Sequence, residues 1–136
     1  MRVREAIAAE FNRRRSSNPR YSLRAFARAM GVNHATLSRL LSGLRPIQAR
    51  TIQVLARPMR WSDSQVMAMI AAEDAAAVIH AVAKPSFRPD SRWIASVSGI
   101  SIDRVNVALQ DLLRTRRLRM PAANQWLVTH RRGFHQ

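Results

Sequence analysis

The sequence contains no cysteine, four scattered glycines and only eight acidic residues. Without cysteine, disulfides, thiolate metal sites and a thiol nucleophile are excluded. The scattered glycines form no glycine-rich phosphate-binding loop. The acidic residues are dispersed and the four histidines do not pair at metal-ligand spacing, so the sequence indicates neither acid–base catalysis nor a metal centre. We therefore expect no catalytic residues, no metal, no cofactor and no enzymatic activity.

Long apolar segments are also missing from the sequence. No stretch approaches the roughly 20 consecutive apolar residues that span a bilayer. The first 15 residues, "MRVREAIAAEFNRRR", carry charges where a secretory signal has its apolar core. We expect a cytoplasmic, nucleoid-associated protein that does not contact a membrane.

Arginine is present in large excess. Twenty-three basic residues face eight acidic ones, which gives a formal net charge of +15, and every basic residue except Lys84 is arginine. A surplus this large in 136 residues indicates a polyanionic partner. The planar guanidinium group binds phosphates and guanine edges in a bidentate manner, so the expected partner is double-stranded DNA.

Apolar periodicity predicts helices in the first 62 residues, which we interpret as one domain. Val3, Ile7 and Phe11 form an apolar stripe on a helix over residues 3–15. Another helix is predicted over residues 48–56, just after Pro46, and the segment "RPMRWSDSQV" contains the next break.

The segment "YSLRAFARAMGVNHATLSRLLSG" predicts two short helices joined at Gly31. Ser22 and Asn33 are suitable N-caps, Gly43 ends the second helix, and Ala27 is small enough to lie where the two helices cross. The apolar residues expected on the inside of the corner are Val32, Leu37 and Leu40.

The second half of the chain begins with a long helical segment. Ser62 or Asp63 caps it, and we interpret residues 63–84 as a linking helix. "KPSFRPD" then marks the clearest boundary. Beyond it come a short helix capped by Asp90, a longer helix from Ile102 to Arg114, and a hairpin in which "RLRM" and "QWLV" flank "PAAN". This order predicts a winged-helix domain over residues 85–130 and a flexible tail over residues 131–136.

Residues 22–56 resemble the Cro/phage-repressor (XRE-type) helix-turn-helix family, and the run "LS-R-L-SG-R" is among the more specific signatures of that family. The resemblance implies a mainly α protein with an N-terminal five-helix, lambda-repressor-like domain. It also implies that the helix over residues 33–42 enters the major groove. The base-reading residues would then be His34, Ala35, Thr36, Ser38 and Arg39. Ala35 departs from the Gln or Ser that this position often carries.

Further polar residues near these helices are candidates for contacts with the DNA backbone. These candidate phosphate contacts are Arg20, Ser22, Arg24, Arg28, Asn33 and Arg45. Because phosphate contacts supply affinity and base contacts supply specificity, the two sets together would account for both properties of a DNA-binding domain.

Residues 86–129 resemble a winged helix, and the whole chain resembles two-part bacterial regulators that join an XRE-type domain to such a segment. In one interpretation the helix over residues 102–114 enters a second groove. Its candidate DNA contacts are Arg104, Asn106, Gln110, Arg116, Arg117 and Arg119. In the other interpretation this domain serves dimerisation or contact with a protein, and those arginines are a solvated face. Asp103 and Asp111 on the same helix would repel phosphates, which argues against the DNA interpretation. Trp93 and Trp126 are expected in the core.

The sequence therefore predicts a sequence-specific DNA-binding transcription regulator, a repressor, that acts as a homodimer. Two alternatives stay open. One is a non-specific, nucleoid-associated protein that coats DNA through its charge. The other is an adapter whose winged helix binds a protein partner.

Overall fold

The structure is a computed structural model that describes residues 1–43 and 45–129. In this part of the chain it is mainly helical, with seven helices followed by a small antiparallel hairpin. The elements are α1 Val3–Ser17, α2 Leu23–Met30, α3 His34–Ser42, α4 Ala49–Met59, α5 Asp63–Val82, α6 Ser91–Ser98, α7 Ile102–Arg114, β1 Leu118–Ala122 and β2 Gln125–Val128. The predicted mainly α class with one short hairpin is confirmed.

The chain forms two compact units, Met1–Glu73 and Asp74–Gln136. The boundary between them lies inside α5, within the segment interpreted as a linking helix. The predicted flexible tail, residues 131–136, lies outside the described residues, as does His130 at the end of the predicted winged-helix domain.

The core of the first unit is built from one apolar face of each of its helices. Its fully or nearly fully buried side chains are Val3, Ala6, Ile7, Phe26, Ala27, Met30, Leu37, Leu40, Ile52, Leu55 and Met69. Phe11 extends the stripe of α1 and stacks on Phe26 of α2, with ring centroids 5.1 Å apart. The stripe on α1 and the interior residues of the α2–α3 corner are therefore as predicted.

The ends of α2 and α3 follow the predicted capping chemistry. The Ser22 hydroxyl accepts a hydrogen bond from the Ala25 amide at 3.0 Å, and the Asn33 side-chain oxygen accepts one from the Thr36 amide at 2.7 Å. Gly31 and Gly43 end the two helices in the left-handed conformation, with φ of 75° and 71°. An L-residue with a Cβ adopts this conformation only at a cost, so glycine is favoured there.

Helix α4 continues further than predicted. The sequence indicates an end near residue 56 because proline disfavours helix interiors, yet α4 includes Pro58 and ends at Met59. Pro58 lies in the last turn, where few backbone hydrogen bonds depend on it. The break occurs instead at Arg60, whose φ is 58° and whose amide donates to the carbonyls of Ala56 and Arg57.

Helix α5 is 20 residues long and has a mean hydropathy of 1.4, so by length and composition it could cross a membrane. This helix is not the uninterrupted apolar run that the sequence was expected to lack, because Glu73 and Asp74 interrupt it; its many alanines raise the mean hydropathy instead. A core helix meets the same test, and Met69 and Val78 of α5 lie in the cores of the two units. Its N-cap is Ser62, whose hydroxyl accepts from the Gln65 amide at 3.1 Å.

The core of the second unit combines the end of α5 with α6, α7 and the hairpin. Its buried residues include Val105, Ala108, Leu109 and Leu112 of α7. Trp93 and Trp126 were expected in the core; both are partly buried, pack against this core and lie beside Phe87, with ring centroids 5.9 and 5.1 Å away.

The hairpin differs from its prediction at the turn. Strand β1 continues through Pro121 and Ala122, so the turn is shorter than "PAAN" indicated. Proline is compatible with this edge position because the pairing is irregular between Arg119 and Ala122.

Candidate nucleic-acid interface

One face of α3 carries all five predicted base-reading residues. His34, Ala35, Ser38 and Arg39 are exposed and Thr36 is half-buried, whereas Leu37 and Leu40 point into the core. This division follows from helical periodicity, because burial of residues 37 and 40 turns residues 34, 35, 38 and 39 outward. The helix therefore presents a row of short polar side chains and one guanidinium group to solvent.

An open groove lies at the edge of this face, between α3 and the start of α4, and Thr36 and Arg39 are the two predicted base-reading residues that line it. It encloses about 620 Å³. Its lining residues are Thr36, Arg39, Leu40, Ser42, Arg45, Pro46, Ile47, Gln48 and Thr51. Arg39 and Arg45 therefore belong to the same concave surface, although one is a predicted base contact and the other a predicted phosphate contact.

The beginning of α4 adds backbone donors to this groove. Gln48 is the N-cap, and its side chain makes no capping hydrogen bond. The first amide groups of a helix lack intrahelical acceptors and carry the positive end of the helix dipole. This end of the groove is suited to an anion.

The candidate phosphate contacts lie at exposed positions of the same unit. Arg20, Arg24, Arg28 and Arg45 are exposed, and within the described residues none of them forms an ion pair. Ser22 and Asn33 use their side-chain oxygens as helix caps. Their remaining hydrogens, the Ser22 hydroxyl proton and the Asn33 amide protons, are the groups with which they would contact phosphate.

Sequence reasoning missed a buried carboxylate that contacts the segment after α3. Glu73 on α5 is 2% exposed and accepts hydrogen bonds from the Arg2 guanidinium, the Val3 amide and the Ile47 amide. Burial raises the pKa of Glu73, but these hydrogen bonds outweigh it, so the net pKa lies below its ordinary value. No pattern in the sequence connects Glu73 with partners 26 to 71 residues away.

A second contact missed by sequence reasoning joins α1 to the end of α3. The Nε of Arg4 donates to the Leu41 carbonyl at 2.9 Å. The Arg4 side chain also lies against Gly43, so that a Cβ added there would come within 2.5 Å of Arg4 Nε. Glycine is therefore favoured at residue 43 by its φ, and a side chain there would also have to displace the Arg4 side chain.

In the second unit, two of the six predicted DNA contacts bond to other side chains, and the other four are exposed. Arg104 forms a bidentate ion pair with Asp74, with distances of 2.9 and 2.5 Å, and the Ser91 hydroxyl donates to Asn106 Oδ1 at 2.7 Å. Gln110 is exposed. Arg116, Arg117 and Arg119 are exposed and follow α7 in the turn and in β1.

The solvent-facing side of α7 is less basic than the sequence suggested. Arg114 pairs with Asp111 at 3.2 Å, in addition to the pair formed by Arg104. Three large apolar residues of α7 are exposed, Ile102, Val107 and Leu113, with Val107 the most exposed at 59%. This surface combines compensated charge with apolar side chains.

Comparison with models of known protein families, with curated protein sequences and with solved structures found no match.

Proposed function

We propose that this protein is a sequence-specific DNA-binding transcription regulator of the XRE helix-turn-helix type. In this proposal α2 and α3 form the helix-turn-helix and α3 enters the major groove. The observation that carries it is the exposed row of α3, with Arg39 beside a groove that also contains Arg45. An α-helix fits the major groove of B-DNA, where each base pair presents a distinct set of donors and acceptors.

The roles within α3 follow from the chemistry of its side chains. Arg39 can donate two parallel hydrogen bonds to O6 and N7 of guanine, and Ser38 and His34 can exchange single hydrogen bonds with base edges. Ala35 has only a methyl group, which suits contact with a thymine methyl. Arg39 is therefore the residue expected to contribute most to discrimination between base pairs.

The charge of the first unit supports the affinity part of the proposal. Residues 1–73 contain 13 arginines and four acidic residues. Arg20, Arg24, Arg28 and Arg45 are positioned on the exposed surface and would bind phosphates, which releases counterions and makes binding depend on salt. A cytoplasmic homodimer on a palindromic site, acting as a repressor, is the form of regulator that we propose.

The test begins with selection of bound duplexes from a random pool by the full-length protein. On the selected duplex, Arg39→Ala is expected to lower affinity by roughly 1–3 kcal/mol and to relax the preference at one base pair. The measurement is a titration of the selected duplex and of its single-base-pair variants. The matched control is Arg57→Ala, which removes the same charge from an exposed position of α4 outside the groove.

Two results would count against this role of Arg39. An equal loss of affinity on every duplex would make Arg39 a phosphate contact rather than a base contact. Equal effects of Arg39→Ala and Arg57→Ala on affinity would mean that both arginines act only through the net charge of the protein.

For the second unit we propose contact with a protein, a second copy or another regulator, rather than with a second DNA groove. The observation that favours it is the surface of α7, where Arg104 and Arg114 pair with acids and Val107 is exposed. Apolar residues within a compensated surface suit protein interfaces better than phosphates.

Replacement of Arg116 and Arg117 by glutamine tests this choice. If α7 and the hairpin contact a protein, the dependence of DNA affinity on salt stays as in the wild type. A decrease of the salt slope by about one for each lost phosphate contact would favour the second-groove interpretation instead.

A further inference from the structure

The carboxylate of Glu73 is the buried centre of a small hydrogen-bond network in the first unit. Its Oε1 accepts from the Ile47 amide at 2.9 Å and from Arg2 Nη2 at 3.0 Å. Its Oε2 accepts from Arg2 Nε at 2.6 Å and from the Val3 amide at 3.3 Å. A buried carboxylate with this many donors fixes the position of each of them, because loss of a partner leaves a charge or an amide unsatisfied.

The contact with Ile47 is the one that bears on the candidate interface. Ile47 belongs to the segment between α3 and α4, and Arg45, Pro46, Ile47 and Gln48 of this segment all line the groove beside Arg39. Pro46 has no amide hydrogen. The amide of Ile47 is therefore the first backbone donor after Arg45 by which the segment can be fixed.

The other end of the segment is fixed by a different helix. Arg4 of α1 donates to the Leu41 carbonyl at 2.9 Å and covers Gly43. The chain is thus bound to α1 where it leaves α3, and to Glu73 of α5 just before it enters α4. These two contacts, at Leu41 and at Ile47, lie before and after Arg45 in the chain.

We propose that Glu73 is a positioning residue for DNA binding, which holds the Ile47 amide and thereby places Arg45 beside Arg39. This inference rests on the proposed function of α3. Glu73 itself is buried and does not contact DNA. Its effect comes from placement, since Arg45 reaches the phosphate only while the Ile47 amide holds the segment beside Arg39.

The DNA experiment uses full-length protein and the selected duplex over a series of salt concentrations. Arg45→Ala is expected to reduce the salt slope by about one, as one phosphate contact is lost. Glu73→Ala is expected to reduce it by the same amount, and the double variant by no more than either single variant. This non-additivity distinguishes positioning of Arg45 from general destabilisation, which would leave the effect of Arg45→Ala intact.

Arg2→Gln is the matched control, because it removes the ion pair but leaves the Glu73–Ile47 hydrogen bond. It is expected to lower the stability of the first unit while the salt slope stays at the wild-type value. If Glu73→Ala does not fold, the same comparison is made with Glu73→Gln, in which one side-chain oxygen has to serve Arg2, Val3 and Ile47.

A measurement without DNA keeps this inference separate from the proposed function. Amide hydrogen exchange is expected to accelerate at Ile47 in the Glu73 variant, while Leu37 and Leu40 in α3 keep their protection. If exchange at Ile47 is unchanged in the folded variant, or if the effects of Glu73 and Arg45 on the slope add, the positioning role is overturned. If wild-type protein selects no DNA sequence but Ile47 exchange responds as expected, the proposed function fails and the structural role of Glu73 stands.

Discussion

At the scale of single residues, some arginines form ion pairs within the fold and others are exposed beside the groove. Arg2, Arg14 and Arg104 pair with acidic side chains and stabilise the fold, whereas Arg39 and Arg45 are exposed beside the groove. The sequence does not distinguish these kinds, because the paired acids are often distant along the chain. It therefore predicted Arg104 as a candidate DNA contact, although that guanidinium is bound to Asp74.

The two glycines at the ends of α2 and α3 should differ in their tolerance of a side chain. Gly31→Ala places a Cβ at φ 75° with no atom within 4 Å, so only the left-handed conformation costs free energy, about 1 kcal/mol. Gly43→Ala has the same backbone cost and also displaces Arg4, with loss of the Arg4–Leu41 hydrogen bond, about 1 kcal/mol more.

Urea unfolding of the two variants provides the comparison. The expected order of stability is wild type, then Gly31→Ala, then Gly43→Ala. The Arg4→Ala, Gly43→Ala double variant should be less stable than Arg4→Ala only by the backbone cost of the left-handed conformation. Equal stabilities of the two glycine variants would mean that Arg4 moves aside without loss.

At the scale of elements, most of the fold could be predicted, because caps and apolar periodicity are local. Ser22, Asn33, Ser62 and Asp90 all accept hydrogen bonds from the helices that they were predicted to begin. The errors occurred where context overrides local preference. Proline was compatible with the last turn of α4 and with β1.

Asn33 allows the cap of α3 to be separated from its predicted phosphate contact. Asn33→Ala removes the hydrogen bond to the Thr36 amide and should destabilise the protein by about 1 kcal/mol. Asn33→Asp keeps the cap, so stability should be close to that of the wild type. Its negative charge should nevertheless weaken DNA binding, because Asp repels the phosphate that Asn33 is proposed to contact.

Thermal unfolding and DNA titration of both Asn33 variants make the comparison. Full DNA affinity in Asn33→Asp would remove Asn33 from the set of phosphate contacts. A stability of Asn33→Ala equal to the wild type would show that the cap is replaced by another acceptor or by water.

At the scale of the whole molecule, the main feature is the positive charge, because a formal net charge of +15 is distributed over 136 residues. The few carboxylates therefore acquire a disproportionate structural role. Hydrogen bonds from Arg13, then from Arg14, lower the pKa of Glu10 from its ordinary 4.5 to about 2. The pKa of Glu73 is also lowered, because its hydrogen bonds outweigh the effect of burial.

These shifts determine how stability depends on pH. Both carboxyls have a lower pKa in the folded than in the unfolded chain, so their stabilising effect is complete above the unfolded value of about 4.3. It is lost as pH falls below that value toward the folded pKa, which is about 2 for Glu10. Stability should therefore be constant near neutral pH and decline as pH falls from about 4.5 to about 2.

Urea unfolding over this pH range tests the expectation, with Glu10→Gln and Glu73→Gln as variants. Each variant should be less stable than the wild type at neutral pH, and the difference should shrink in acid as the wild-type carboxyl becomes protonated. A difference that stays constant with pH would mean that the carboxylate charge does not contribute.

The central claim is that α3 reads a DNA sequence, and the most direct test is the ratio of two affinities of the wild-type protein. One is measured on the duplex selected from a random pool, the other on a scrambled duplex of equal length, at physiological salt. A regulator of the proposed kind should prefer the selected duplex by about 10³-fold or more. A ratio near one, with strong salt dependence on both duplexes, would contradict the claim and indicate a protein that coats DNA through its charge alone.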